Sequence, residues 1–131
     1  LARACPDLTI VVDHLAKPEI RARRIEPWRS DIRRLAALPH VHCKLSGLVT
    51  EAAWDRWTPA DLRPYLEVAL DAFGPDRVMI GSDWPVCLLA GDYPGVLDVV
   101  RQFIGSLSDG EQAGVLGGSA ARFYGIEGST A

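Results

Sequence analysis

The sequence predicts an α/β protein built on a parallel sheet, and three observations carry the prediction. Short runs rich in Val, Ile and Leu, "LTIVVDH" (8–14), "VHCKLSG" (41–47) and "RVMIGSD" (77–83), read as strands that end in Gly or polar residues. The first and third are apolar almost throughout, as strands covered on both faces are. Helical patterns fill the intervals, and that alternation implies parallel strands joined by right-handed crossovers.

The helices can be justified one by one. After Pro27, "WRSDIRRLAAL" puts Trp28, Ile32, Leu35 and Ala36 on one stripe, and Pro39 ends it. "TPADLRPYLEVALDAFGP" gives the clearest pattern in the chain. Thr58 caps, Pro59 takes the first helical position, and Asp61 completes a box-like T-x-x-D. Leu62, Leu66, Ala69, Leu70 and Phe73 form its apolar face, and Gly74-Pro75 stops it. A helix over 94–107 turns Leu97, Val100, Phe103, Ile104 and Leu107 inward. Another, over 109–116, starts behind the S-x-x-E box of Ser108 and Glu111, and "SAARFYG" makes a last turn that packs Phe123 and Tyr124. The domain is expected to span 1–126, with 127–131 a small, polar, disordered tail.

The strand tips at His14, Ser46 and Asp83 are 32 and 37 residues apart. A (β/α)8 barrel allots roughly 30 residues per unit, so both intervals fit one. Three parallel strands cannot close a barrel and would leave two open edges. The pattern therefore admits an open three-layer α/β domain or the C-terminal part of a barrel. The opening "LARACPDLTI" reads as the tail of a helix, so the chain is expected to be a piece of something longer.

Composition narrows the function classes. The chain has 131 residues, 48% hydrophobic and 24% charged, as a soluble globular domain does. A net charge of −3 argues against nucleic acid, whose phosphates need a basic surface. Arginines do gather at 21–34, among Glu19, Glu26 and Asp31, and are expected to form a solvated helix face. Cys5, Cys43 and Cys87 are odd in number with no CxxC spacing, which fits reduced thiols in a cytoplasmic protein. No apolar run approaches the roughly 20 residues that span a bilayer, so no membrane role is expected.

In α/β folds the chemistry sits beyond the carboxyl ends of the strands. All three tips here are polar: Asp13-His14-Leu15-Ala16-Lys17, Lys44-Leu45-Ser46-Gly47 and Ser82-Asp83-Trp84-Pro85. A carboxylate and an imidazole on one rim can share a metal, activate water or shuttle a proton. The plainer alternative is that Asp13 and Asp83 cap the helices or loops next in the chain. "HVH" at 40–42 imitates a metal pair, but it enters its strand rather than leaving it and is read as strand-start structure.

"VVDHLAKP", "VHCKLSGL", "FGPDRVMIGSDWPV" and "GGSAARFYGI" together resemble the C-terminal part of the amidohydrolase-related family 2 enzymes. The likeness is greatest to their sugar-lactone hydrolase branch, fuconolactonases and rhamnonolactonases among them. The resemblance implies the C-terminal portion of a metal-dependent-hydrolase-type (β/α)8 TIM barrel. "VVDH", "KLSG" and "GSDWP" would be strands six to eight, and strands one to five would precede Leu1. It implies Asp83 as the acid that takes a proton from the attacking water and passes it to the leaving group. It implies His14 as a metal ligand where metal is bound, or as the group that polarises the substrate carbonyl. Lys17 and Ser46 would line the pocket. The family's H-x-H pair on strand one is not in this chain. A divalent metal such as zinc is therefore left open, with His14 and Asp83 supplying at most part of its site.

Elsewhere on the rim, Trp84 is a pocket wall or a plug under the next loop, and its large apolar area favours the plug. In "LVTEAAWDRWT", Trp54 and Trp57 either stack on a sugar ring or pack on helix 59–73. Glu51 reads as a solvated loop acid. The resulting expectation is a hydrolase that opens a lactone, a sugar aldonolactone first. A carboxy-lyase acting on an unsaturated or aromatic acid is the alternative within the family. A catalytically incomplete α/β module with an interaction role is the alternative outside it. The expected partner is a small molecule, a homo-oligomer is left open, and this chain alone is expected to be inactive.

Overall fold

A computed structural model describes residues 1–126, so the expected tail at 127–131 lies outside the described residues. Three parallel strands form one sheet in the order β1 (Ile10–Val12), β2 (Val41–Leu45), β3 (Val78–Ile80). Ile10 pairs with Val41 and Leu45 with Ile80 across the two ladders. The strands are shorter than the apolar runs that predict them, because residues 13–14, 46–47 and 81–83 turn out of the sheet to form its rim.

The helices are α1 (Trp28–Ala36), α2 (Leu48–Glu51), α3 (Pro59–Phe73), α4 (Tyr93–Phe103), α5 (Asp109–Ala113) and α6 (Ser119–Tyr124). The capping signals act as expected. Asp61 accepts from both the backbone N–H and the hydroxyl of Thr58, at 2.9 Å each. Glu111 does the same at Ser108, at 2.9 and 2.7 Å. The expected helix 94–107 ends at Phe103 and tightens into a 3-10 turn over 104–106. A π-turn over Gly114–Gly118 joins α5 to α6, where the sequence predicts a longer α5.

Alternation in β2 sorts its side chains. Val41, Cys43 and Leu45 are fully buried on the face covered by α1 and α3, with Ile32, Leu62 and Leu66 packed in the same core. Burial pushes the Cys43 thiol up to about 12, which makes it core structure and not a nucleophile. His42 and Lys44 point to the other face, where α6 lays Phe123 edge-on to His42 at 5.1 Å and Tyr124 under Lys44 Nζ at 5.6 Å. The expected helix face holds only for Arg29, Arg33 and Arg34 on α1, since Arg21, Arg23 and Arg24 lie in the turns before it. The segment is largely exposed and laced with ion pairs: Arg24–Glu19 at 2.8 Å, Arg29–Glu26 at 2.7 Å, and Arg34–Asp31. Among the described residues, no helix is long and apolar enough to cross a membrane.

Leu66, 1% exposed in α3, should be indispensable, whereas Leu116, 41% exposed, should not. Leu66→Ala is expected to cost about 2–5 kcal/mol in urea unfolding of the intact protein. Leu116→Ala should stay within about 0.5 kcal/mol of the parent.

Candidate active site

The site is built by the three strand tips. His14 leaves β1 through an unusual turn in which His14, Leu15, Ala16 and Lys17 all have positive φ, between 50° and 55°. None is glycine, so each carries the steric cost of the left-handed region, about 1–2 kcal/mol. Three contacts hold the turn. The Lys17 N–H donates to the His14 carbonyl at 2.8 Å. The Trp28 indole N–H donates to the Leu15 carbonyl at 2.6 Å, and the Leu15 side chain is fully buried.

This turn swings the His14 ring across the tip of β2 and toward the tip of β3. Nδ1 lies 2.8 Å from Ser46 Oγ. Nε2 lies 3.4 Å from Asp83 Oδ1, with the two side chains 26% and 13% exposed. Asp83 also has a positive φ, 58°. Two glycines make the room. A Cβ on Gly47 (φ +64°) would sit 2.7 Å from His14 Cβ and Cγ, and one on Gly81 would meet Ser46 Cβ at 3.0 Å. Among the described residues the non-glycine positions at positive φ are His14–Lys17, Arg23 and Asp83, so both sides of the His14–Asp83 contact sit on left-handed backbone.

The remaining rim charges are paired. Lys17 Nζ meets Glu51 Oε1 at 2.6 Å. That hydrogen bond, with a smaller contribution from Asp83, holds the Lys17 ammonium above its ordinary range. Glu51 thus differs from the solvated loop acid expected: it ends α2 with its side chain 25% exposed and tied to Lys17. Asp13 caps nothing; it pairs with Lys44 at 2.9 Å. Hydrogen bonding to Tyr124 and then Asp13 raises the Lys44 pKa.

The tryptophans divide. Trp84 is 63% exposed, so it is no plug; the turn after Asp83 carries the ring outward. Trp57 packs against the core and donates its indole N–H to the Ala90 carbonyl at 2.6 Å, tying the loop after β2 to the loop after β3. Trp54 keeps half its surface exposed beside a groove of about 540 Å³ whose walls include Glu19, Arg21, Thr50 and Glu51. Glu51, read from the sequence as a loop acid, and Arg21, read as part of the arginine face, both line this groove, a placement for which neither carries a motif. His40 Nε2 lies 3.0 Å from the Ala2 carbonyl oxygen, and the half-buried His42 ring, its pKa lowered chiefly by desolvation, rests on Phe123.

His14 and Asp83 offer the nitrogen and oxygen donors that zinc takes, but a zinc site needs three or four. No group of three His, Cys, Asp or Glu side chains able to hold a metal occurs among the described residues.

A parallel sheet with its polar side chains collected at the C-terminal strand ends places the chain among α/β proteins whose sites lie on that rim. It belongs to the amidohydrolase family, which it matches over residues 1–126. It is 50% identical over 127 residues to the L-fucono-1,5-lactonase of Burkholderia multivorans, covering 89% of this chain and 43% of that protein. It is 46% identical over 132 residues to the L-fucono-1,5-lactonase of Burkholderia ambifaria, covering 96% of this chain and 44% of that protein. A solved amidohydrolase structure from Burkholderia multivorans with bound zinc matches with a TM-score of 0.89 at 43% identity, over 96% of this chain and 48% of that one. The chain therefore spans under half the length of each of these proteins. Its three-stranded sheet is the C-terminal portion of the amidohydrolase barrel, as the motif resemblance implies.

Gly47 tests the packing of the site. Gly47→Ala combines a left-handed backbone with a Cβ inside the His14 contact distance. It is expected to cost about 1 kcal/mol or more in thermal unfolding of the intact protein. Gly110→Ala, in α5 with open space around it, should be neutral or stabilising by up to about 1 kcal/mol. Equal stability of Gly47→Ala and the parent would contradict the packing described.

Proposed function

We propose that the protein containing this chain hydrolyses a lactone, a sugar aldonolactone in the first instance, with Asp83 and His14 as its catalytic residues. The observation that carries the reading is the 3.4 Å approach of His14 Nε2 to Asp83 Oδ1 on the C-terminal rim. Its support from outside is the 46–50% identity to two L-fucono-1,5-lactonases.

In this reading the Asp83 carboxylate takes a proton from water as the water oxygen attacks the lactone carbonyl carbon. His14 polarises the carbonyl oxygen and stabilises the negative charge that develops there. The tetrahedral intermediate collapses, the ring C–O bond breaks, and the proton held by Asp83 passes to the departing alkoxide oxygen. Water and lactone become one hydroxy acid. Lys17 stands nearby to offset the product carboxylate, while the exposed rings of Trp54 and Trp84 offer apolar faces to the C–H surface of a sugar. His14 Nε2 and Asp83 are the groups that would contribute to holding a divalent cation. Such an ion, when bound, supplies carbonyl polarisation and a more acidic water.

Asp83→Asn removes the proton acceptor while keeping the shape of the side chain. In the intact protein, kcat for aldonolactone hydrolysis should fall by about 100-fold or more. Unchanged turnover would remove Asp83 from the mechanism and the reading with it.

A further inference from the structure

Ser46 sits at the tip of β2 where solvent scarcely reaches it, 3% exposed. Its hydroxyl has one proton to give. Among the described residues its side-chain hydrogen bond is to His14 Nδ1 at 2.8 Å. A buried hydroxyl left without an acceptor is costly, so the Ser46 O–H donates to Nδ1. Nδ1 then acts through its lone pair, and the neutral ring carries its proton on Nε2. The other end of the ring demands the same arrangement. Nε2 faces Asp83 Oδ1 at 3.4 Å; an N–H directed there is attracted to the carboxylate, and a bare lone pair would be repelled. Both neighbours select one tautomer.

The backbone is arranged to keep this contact. Gly81 leaves the space that the Ser46 side chain fills, and Gly47 leaves the space for the His14 ring, since a Cβ at either would fall within 3.0 Å of them. The left-handed turn at 14–17 presents the ring edge-on to the hydroxyl.

We infer that Ser46 is a positioning residue that fixes His14 as an Nε2–H donor, aimed at the group that reacts beside Asp83. It does not line the substrate pocket, where the motif resemblance places it. The inference rests on the lactone-hydrolase reading only for what His14 then donates to, the carbonyl oxygen of the substrate; the tautomer itself comes from the geometry.

The test is nitrogen-15 NMR of the histidine rings in the intact protein, dialysed against EDTA so that no ion competes for the ring, at a pH where imidazole is neutral. His14 is expected to show a protonated Nε2 and an unprotonated Nδ1. In Ser46→Ala only Asp83 still favours that tautomer, so the Nδ1 and Nε2 shifts should move partway toward averaged values. Turnover of an aldonolactone by the variant should fall about tenfold in kcat, with KM within about twofold, because Ser46 touches the histidine and not the substrate. Ser46→Cys, which retains a weak donor, should recover part of the tautomer preference and part of kcat. A parent spectrum with the proton on Nδ1 would overturn the inference, and this outcome needs no variant to fold. So would a Ser46→Ala spectrum identical to the parent's, or a variant whose loss lies wholly in KM. The tautomer outcomes are read without substrate, so failure there is distinguishable from failure of the lactonase reading.

Discussion

The site depends on one backbone feature, the left-handed turn by which His14 leaves its strand. An extended continuation of β1 would carry the imidazole away from the tip of β2 and leave Asp83 without a neighbour. Non-glycine residues do not hold such a turn unaided. Here the core holds it. Tyr65 of α3 packs edge-on against Trp28 of α1 at 5.3 Å, Trp28 binds the Leu15 carbonyl, and the Leu15 side chain is sealed inside. A continuous path of packed groups therefore runs from the helical layer to the imidazole. The helices that stabilise the sheet also set the geometry of its chemistry.

Charge on the sheet is arranged in tiers. Asp13 and Lys44 pair on the face toward α6, His14 and Asp83 meet at the rim, and Lys17 and Glu51 close an outer pair. Each acid in these tiers has a basic partner on a different strand or loop, so the pairs also fix the tips relative to one another. Of the three acids, Asp83 alone faces an imidazole rather than an ammonium. That distinction, rather than the number of charges, is why the proposed reading gives proton transfer to Asp83.

Much of this architecture is legible in the residues. Apolar runs locate the strands, and the Thr58–Asp61 and Ser108–Glu111 boxes locate two helix starts to the residue, because capping is a local interaction with a local signature. His14 and Asp83 are visible as polar residues at strand ends, and the four motifs supply the family. The illegible part is three-dimensional or has no side-chain signature. Four consecutive positive φ values at His, Leu, Ala and Lys have no counterpart in the sequence pattern, since His enters the left-handed region more readily than most residues but Leu, Ala and Lys do not. The Lys17–Glu51 pair spans 34 residues and the His14–Ser46 pair 32. Trp84 defeats the expectation of a plug because aromatic area predicts burial on average, whereas its place after the turn at Asp83 leaves it outside. Gly47 and Gly81 are the available hints of the crowded tip, and they carry that meaning only once His14 and Ser46 are known to lie against them.

The central claim is that His14 and Asp83 act as one unit on one reacting group. A double-mutant cycle in kcat/KM for aldonolactone hydrolysis by the intact protein, across His14→Gln and Asp83→Asn, tests it most directly. If the two residues work together, the double variant should be little worse than the poorer single variant. Strictly additive losses would mean that the residues act independently and would contradict the account.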